Sequence, residues 1–216
     1  MYNLLKISIT EIKKIRLIFL FSFLLLAYLV NAQKIDKIVY KKIYTSYYSY
    51  DLHAPLYVVY KLYKGGGSAK RSNFFEEYGT AKSRDYKKSG YDRGHLVSAE
   101  DFAFNQTYEK LTFSYYNCFP QSSKLNKGPW KSWEYKIRQE SQKWPLKIYV
   151  GGIYSDKKLN NRVSVPKYCW KVVYNLKTKL IMHVLLFEND GKASAVRVNL
   201  SELKQMLGYQ VDFNMN

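Results

Sequence analysis

An α+β domain is the fold class that this sequence predicts, and three observations lead to it. Residues 38–64 are rich in Tyr, Val and Ile, which is typical of β-strands. Residues 127–144 carry Trp130, Trp133 and Ile137 at a spacing that predicts one apolar face of a helix. More strand-like segments follow this helix and do not alternate with further helices. This order favours an α+β domain over a doubly wound sheet.

The remaining elements follow in chain order. Residues 64–73, KGGGSAKRSN, predict a flexible loop because glycine and small polar residues are frequent in them. Residues 112–119 predict a short strand, and residues 146–155 predict a longer one. Residues 167–189 predict a hairpin that turns near residues 175–179.

A short helix closes the predicted fold at residues 201–208, with Ser201 as its N-cap and Gly208 beyond its end. The sequence contains no internal repeat, no phosphate-binding loop, no Gly-x-Gly-x-x-Gly and no Gly-x-Ser-x-Gly. Nothing in it therefore points to a P-loop enzyme, a dinucleotide-binding enzyme or an α/β-hydrolase.

The N-terminal segment has the pattern of a secretory signal peptide. Four basic residues precede an apolar run at residues 17–30, and the small-residue site Asn31-Ala32 follows it. We therefore expect residues 1–32 to be a signal peptide, residues 33–216 to be one domain, and the mature protein to be secreted or periplasmic. An uncleaved membrane anchor is the alternative, although the run is short for a bilayer span.

The chain is strongly basic. Four cationic residues and one anionic residue lie in residues 1–32, so removing this segment lowers the formal net charge from +18 to +15. Such a charge favours polyanionic partners such as nucleic acid, anionic lipid or acidic polysaccharide. Lys, Tyr, Asn and Ile are all abundant here, as in products of AT-rich genomes, so charge alone supports such a partner only weakly.

The two cysteines, Cys118 and Cys169, lie far apart in the sequence and form no Cys-x-x-Cys pair. This spacing argues against a zinc knuckle or a redox motif. One disulfide in an oxidising compartment and two buried thiols are both compatible with the sequence.

A cluster of acid, base and glycine occurs at Asp92-Arg93-Gly94-His95 in a chain with only three histidines. The imidazole of His95 is a natural general base near neutral pH, because its ordinary pKa lies in that range. The third histidine, His183, lies in an apolar strand-like segment and is interpreted as a core residue.

Side chains with amide and carboxylate oxygens follow this cluster, across a predicted strand end and the next helix. They are Asn117, Gln121, Asn126 and Glu134. Such oxygens are suited to hold a hard cation whose other positions are filled by water.

These residues carry a resemblance to a known family. The segment YDRGHLVSAEDF, followed by TFSYYNCFPQSSKLNKGPWKSWE, resembles the signature of the DNA/RNA non-specific endonucleases of the ββα-metal superfamily. The resemblance covers approximately residues 43–213. It implies a ββα-metal nuclease fold, in which a central antiparallel sheet carries a metal-bearing helix packed beside a β-hairpin.

The resemblance also implies roles for single residues. His95 would be the general base that activates water, and Asn126 would be the direct protein ligand of one Mg²⁺, with Mn²⁺ or Ca²⁺ as alternatives. Glu134 would hold water molecules that hydrate the ion. Asn117 would orient the site without contacting the ion.

An arginine that clamps the developing charge on the phosphate is part of the same pattern. Arg71 best matches this arginine, and Arg84 and Arg93 stay open as alternatives because the loop before the cluster has no rigid spacing. Asp92 and Arg93 are predicted to shape the turn next to the base. They are expected to bind substrate or support the site more than to take part in the chemical step.

Together with the N-terminal pattern, the resemblance therefore implies a secreted Mg²⁺-dependent, sugar-non-specific endonuclease. It would cut DNA and RNA independently of sequence, give 5′-phosphorylated products and use no small-molecule cofactor. A non-catalytic basic nucleic-acid-binding protein on the same scaffold is the alternative. A membrane contact is expected only if the N-terminal segment is uncleaved, and the sequence leaves the oligomeric state open.

Overall fold

A computed structural model describes residues 33–190 and 195–215. Within these ranges, the residues from Lys34 onward form one compact unit. The predicted signal peptide at residues 1–32 lies outside the described residues. Within the two described ranges, no helix is long and apolar enough to cross a membrane.

A seven-stranded antiparallel sheet forms the centre of the fold, with strand order β1-β2-β3-β6-β7-β8-β9. Its strands are β1 Lys37–Lys41, β2 Tyr44–Ser49, β3 Ala54–Leu62, β6 Leu146–Leu159, β7 Val163–Asn175, β8 Leu180–Glu188 and β9 Val196–Arg197. β3 and β6 are neighbours in the sheet, so the chain between them is a single long excursion.

This excursion builds a two-stranded hairpin and most of the helices. Its elements are α1 Ser83–Tyr86, β4 Tyr91–His95, a 3₁₀ turn Ala99–Phe102, α2 Gln106–Leu111, a second 3₁₀ turn Tyr115–Asn117, β5 Cys118–Ser122, α3 Ser123–Leu125, a π-type turn Asn126–Trp130 and α4 Lys131–Ser141. The last helix, α5 Leu200–Met206, follows the sheet. The α+β prediction is confirmed, since the sheet is antiparallel and its helices are few.

Tryptophan side chains join the layers on the two faces of the sheet. Trp130, which is fully buried, packs edge-on against Phe187 of β8 at 5.0 Å and against Phe119 of β5 at 6.1 Å. On the opposite face, the indole nitrogen of Trp170 donates to the hydroxyl of Tyr209 at 3.1 Å. The sheet therefore has the hairpin and α4 on one side and the C-terminal segment on the other.

Several local predictions are confirmed and others need correction. The hairpin predicted in residues 167–189 turns between Asn175 and Leu180, where β7 ends and β8 begins. The strand predicted at residues 112–119 begins only at Cys118, because a 3₁₀ turn precedes it. Ser201 is not the N-cap of α5, since Asn199 forms a reciprocal capping box with Glu202.

Both cysteines are free and buried, so this structure has the two thiols and not the disulfide. Burial raises the pKa of Cys118 to about 12 and also raises the pKa of Cys169. Neither thiol is therefore a reactive thiolate at neutral pH.

Candidate active site

The predicted base lies at the end of the hairpin. β4 pairs antiparallel with β5, and its last residue, His95, lies opposite Cys118. Gly94 packs directly on Gln121, because a Cβ at position 94 would lie 2.6 Å from the Gln121 Cβ. The glycine before the base is thus required by a close approach of side chain to backbone.

Two phenylalanine rings enclose the His95 imidazole. The ring centroids of Phe74 and Phe113 lie 4.7 Å and 4.6 Å from that of His95. Each ring also contacts a guanidinium, with Arg93 at 5.2 Å from the centre of Phe74 and Arg71 at 5.2 Å from the centre of Phe113. Sequence analysis did not identify these two rings, since Phe74 lies outside the quoted segments and nothing local distinguishes Phe113 from the other aromatic residues of TFSYYNCF.

The environment of His95 keeps its imidazole uncharged. Its pKa is lowered from 6.5 to about 3, first by burial and then by the positive charges of Arg71 and Arg93. Its Nε2 is buried and has no hydrogen-bond partner among the described residues. A neutral imidazole with an unpaired nitrogen is in the state required to accept a proton.

Asn117 is a buried cross-link to the segment that follows His95. Its Oδ1 accepts from the Val97 backbone N–H at 2.8 Å, and its Nδ2 donates to the carbonyl oxygens of Val97 at 3.0 Å and Thr112 at 2.8 Å. The side chain is fully buried. Because both ends of the amide bond to backbone groups, Asn117 positions the chain that follows His95 and does not line the cavity described below.

Asn126 begins the turn that leads into α4, and Asp92 of β4 holds its side chain. The Nδ2 of Asn126 donates to Oδ2 of Asp92 at 3.0 Å, and the same oxygen accepts from Ser123 Oγ at 3.0 Å. A nitrogen directed at Asp92 leaves the amide oxygen of Asn126 for a ligand. Pro129 lies in the turn before the helix interior, because α4 begins only at Lys131.

Glu134 lies in the first turn of α4, and its carboxylate faces a buried lysine. Its Oε1 lies 4.0 Å from Nζ of Lys171 on β7, whose side chain is 1% exposed. Burial raises the pKa of Glu134, while the charges of Lys171 and Arg138 lower it. Sequence analysis did not single out Lys171, although a lysine within the apolar run YCWKVVY was a usable signal.

A cavity of about 250 Å³ brings four of the predicted residues together, namely His95, Asn126, Glu134 and Arg71. The rest of its lining consists of Ser98, Ala99, Glu100, Lys127 and Lys131. The cavity thus joins the end of the hairpin, the turn before α4 and the first turn of α4, as in the predicted arrangement of hairpin beside helix.

A groove of about 760 Å³ adjoins this cavity and shares Arg71, Asn126 and Lys127 with it. Arg84 and Arg93 line the groove but not the cavity, so Arg71 is the candidate arginine that reaches the base. The remaining lining consists of Ser72, Asn73, Phe74, Ser83, Tyr86, Lys87, Tyr91, Asp92 and Phe113. Cationic side chains outnumber the single carboxylate, which suits the groove to a polyanion.

The donor set of the cavity fits a hard, hydrated cation. In the described ranges there is no group of three or more His, Cys, Asp or Glu residues that could hold a metal ion. The cavity instead offers the amide oxygen of Asn126 and the carboxylate of Glu134. Mg²⁺ loses water reluctantly and is commonly bound through only one or two protein oxygens, so these residues are compatible with it.

The other two histidines lie outside the cavity lining. His183 is on β8, and its Nε2 lies 2.8 Å from Oε1 of Glu140 on α4. Its ring also packs on Trp133 at 5.1 Å. His53 lies in the turn before β3 with a φ of 48°. Both positions agree with structural roles.

A sequence model of the DNA/RNA non-specific endonuclease family matches residues 25–216. This chain belongs to that family. Three relatives of this family member are a nuclease of Nostoc sp., the mitochondrial nuclease of Saccharomyces cerevisiae and the mitochondrial endonuclease G of Homo sapiens. The sequence identities are 32%, 34% and 28%, in that order. The matched regions cover 61%, 44% and 51% of this chain. They cover 53%, 32% and 43% of the respective relatives. The chain thus spans about half or less of the length of these curated relatives.

The fold of this endonuclease-family chain is similar to a solved structure of a complex of EndoG with EndoGI. The TM-score is 0.69 at 19% sequence identity, and the match covers 81% of this chain and 84% of the other. The complex was studied for the mechanism of EndoG inhibition. The similarity confirms the predicted ββα-metal nuclease fold.

Proposed function

We propose that this chain is a secreted Mg²⁺-dependent endonuclease that hydrolyses phosphodiester bonds of DNA and RNA. The observation that carries this proposal is the convergence of His95, Arg71, Asn126 and Glu134 on one cavity beside a cationic groove. Family membership supports it independently of the geometry.

His95 would be the general base of the reaction. It would accept a proton from water while the water oxygen forms a bond to phosphorus and the bond from phosphorus to the 3′ oxygen breaks. The leaving oxygen would take a proton from solvent, so that the products carry a 3′ hydroxyl and a 5′ phosphate.

Arg71 would clamp the phosphate that undergoes attack. Its guanidinium lines the cavity beside His95 and is held on the ring of Phe113. A bound phosphate would bring negative charge next to Arg71 and Arg93, and this charge would counter their effect and raise the pKa of His95 toward neutrality. The base would thereby become stronger when substrate is present.

Asn126 and Glu134 would hold the divalent ion, with Mg²⁺ as the first candidate and Mn²⁺ or Ca²⁺ as alternatives. When bound, the ion would supply positive charge that stabilises the phosphate and the leaving 3′ oxygen in the transition state. Asp92 would fix the amide of Asn126 in the required orientation through its hydrogen bond of 3.0 Å.

The groove would bind the nucleic-acid strand next to the scissile phosphate. Arg84, Arg93, Lys87 and Lys127 line it. Side chains of this kind contact phosphates, which are the same in every sequence and in both DNA and RNA. Cleavage that is independent of sequence and of sugar is the expected consequence.

Secretion or a periplasmic location is proposed from the basic and apolar pattern of residues 1–32. A cell that makes a nuclease of this kind would protect its own nucleic acid by exporting the enzyme. Scavenging of nutrients and degradation of extracellular DNA are both compatible with such a location.

The test is digestion of plasmid DNA and total RNA by the protein made from its full sequence, with Mg²⁺ or with EDTA, beside His95→Ala. Degradation that requires the ion and is lost in the variant would support the proposal. Tight binding without cleavage by either protein, with Mg²⁺, Mn²⁺ and Ca²⁺ in turn, would overturn it in favour of a non-catalytic nucleic-acid-binding protein.

A further inference from the structure

Lys171 is a buried cation in the middle of the central sheet. It lies on β7, which has β6 and β8 as its neighbours, and its side chain is 1% exposed. Transfer of an ammonium group from water to a protein interior is strongly unfavourable unless the group is paired. A lysine at this position therefore requires a specific partner.

The groups that face Lys171 come from the sheet, from α4 and from the 3₁₀ turn Ala99–Phe102. Its Nζ lies 4.0 Å from Oε1 of Glu134 and 3.8 Å from the centre of the Trp130 ring. Asp101, Arg138 and Cys169 also interact electrostatically with it. The nearest carboxylate to Lys171 is thus the one that lines the active-site cavity.

The second buried cation, Arg138 of α4, is engaged by other partners. Its guanidinium lies 2.7 Å from Oε2 of Glu100 and 3.5 Å from Oδ1 of Asp101. Asp101 also accepts a hydrogen bond from the hydroxyl of Tyr60 at 3.0 Å. The carboxylates of Glu100 and Asp101 therefore pair with Arg138, and the carboxylate of Glu134 pairs with Lys171.

We propose that Lys171 is a positioning residue of this active site, which holds one oxygen of Glu134 toward the sheet so that the other oxygen faces the cavity. The inference rests on the function proposed above and names a residue that acts through Glu134.

Lys171 also fixes the helix that carries the site. Its ammonium contacts the ring of Trp130, which lies between Asn126 and Glu134 in the sequence. A single side chain of the sheet therefore contacts both the turn that follows Asn126 and the carboxylate one helical turn later. Removing the Lys171 side chain would make the distance between the Asn126 amide oxygen and the Glu134 carboxylate less fixed, and these two groups are proposed to hold the ion.

The test is a double-mutant cycle with Lys171→Met, which keeps length without charge, and Glu134→Gln. Lys171→Met is expected to lower kcat by about 10- to 100-fold, with KM for DNA changed less than about twofold, and to weaken Mn²⁺ binding measured by calorimetry without substrate. In the Glu134→Gln background the same substitution should change kcat by less than about threefold, because the residue through which it acts is already altered.

A matched control is Lys147→Met, at a lysine on β6 that does not line the cavity. This variant should keep wild-type kcat and Mn²⁺ binding. If Lys171→Met does not fold, as judged by circular dichroism, Lys171→Gln replaces it with the same expected losses, since its shorter, uncharged amide also removes the ammonium from Glu134.

Wild-type kcat and Mn²⁺ affinity in a folded Lys171 variant would overturn the inference, as would independent multiplicative losses in the double variant. The proposed function fails separately, through the absence of cleavage by the wild-type protein. In that case the calorimetric titration still decides whether Lys171 supports the ion site.

Discussion

The carboxylate of Asp92 accepts a hydrogen bond of 3.0 Å from the side-chain nitrogen of Asn126. This contact joins β4 to the turn that precedes α4. It gives Asp92 a defined task, since the orientation of the proposed ion ligand depends on it. Asp92 was expected to shape the turn next to His95, and its carboxylate also contacts the first residue of the turn after α3.

Asp92→Ala is expected to lower cleavage by about 10- to 100-fold and to raise the Mg²⁺ concentration required for half-maximal rate. The reason is that the Asn126 amide loses the acceptor that orients it. Initial rates measured across a Mg²⁺ series test this. Ser123→Ala removes the other donor to the same oxygen and serves as the control, with an expected change below about threefold. Equal losses in both variants would contradict the orienting role.

The two asparagines of the motif should separate stability from activity. Asn117→Ala removes three buried hydrogen bonds and leaves backbone groups unpaired, so it should lower the free energy of unfolding by about 3 kcal/mol. Asn126→Ala removes a half-buried cavity residue, and its cost in unfolding free energy should stay below about 1 kcal/mol, while the response to Mg²⁺ is lost. Urea denaturation and Mg²⁺-dependent rates of both variants check this contrast. A stable Asn117→Ala protein would refute it.

The arginines of the site should differ in the kinetic constant that they affect. Arg71→Ala should lower kcat by about 100-fold, because Arg71 lines the cavity beside the base. Arg84→Ala should mainly raise KM, by several-fold, and reduce the salt dependence of binding, because Arg84 lines only the groove. Lys61→Ala, at an exposed lysine outside both linings, is the control. A larger loss of kcat in Arg84→Ala than in Arg71→Ala would indicate that Arg84, and not Arg71, binds the phosphate that undergoes attack.

The buried, neutral His95 should make the protein sensitive to acid. Its pKa is 6.5 when unperturbed and about 3 in the fold, so the unfolded chain binds the proton more readily than the folded one. The free energy of unfolding should therefore fall as pH drops from 6.5 toward 3, and this residue should account for about 2 kcal/mol of that loss by pH 5. His95→Asn has no titrating ring, so its unfolding free energy should vary less with pH over that range. Identical pH profiles for the two proteins would exclude this contribution.

The predicted site residues could be recognised in the sequence because they lie in two short segments of the chain. Asp92, Gly94 and His95 occupy one strand, and Asn126 and Glu134 occupy one turn and the helix that follows it. Helix signals act over a few residues, so the helix that carries Glu134 could be predicted from its apolar spacing, whereas the hairpin that carries His95 was expected only from the family resemblance. The errors at Ser201 and at residues 112–119 concern element ends, where several polar residues compete to cap a helix or begin a strand.

The amino-acid sequence by itself determined the fold class and the family, and it predicted His95 as the base and Asn126 and Glu134 as the residues that would hold an ion. Tertiary structure decided that Arg71 lines the same cavity as His95 and that Asn117 is a buried cross-link. It also decided that the ammonium of Lys171 lies 4.0 Å from the carboxylate of Glu134. It also brought Phe74 and Phe113 against the imidazole. The physical reason is that these contacts join segments far apart in the chain. Their geometry depends on how the excursion between β3 and β6 packs on the sheet, and no local pattern encodes that packing.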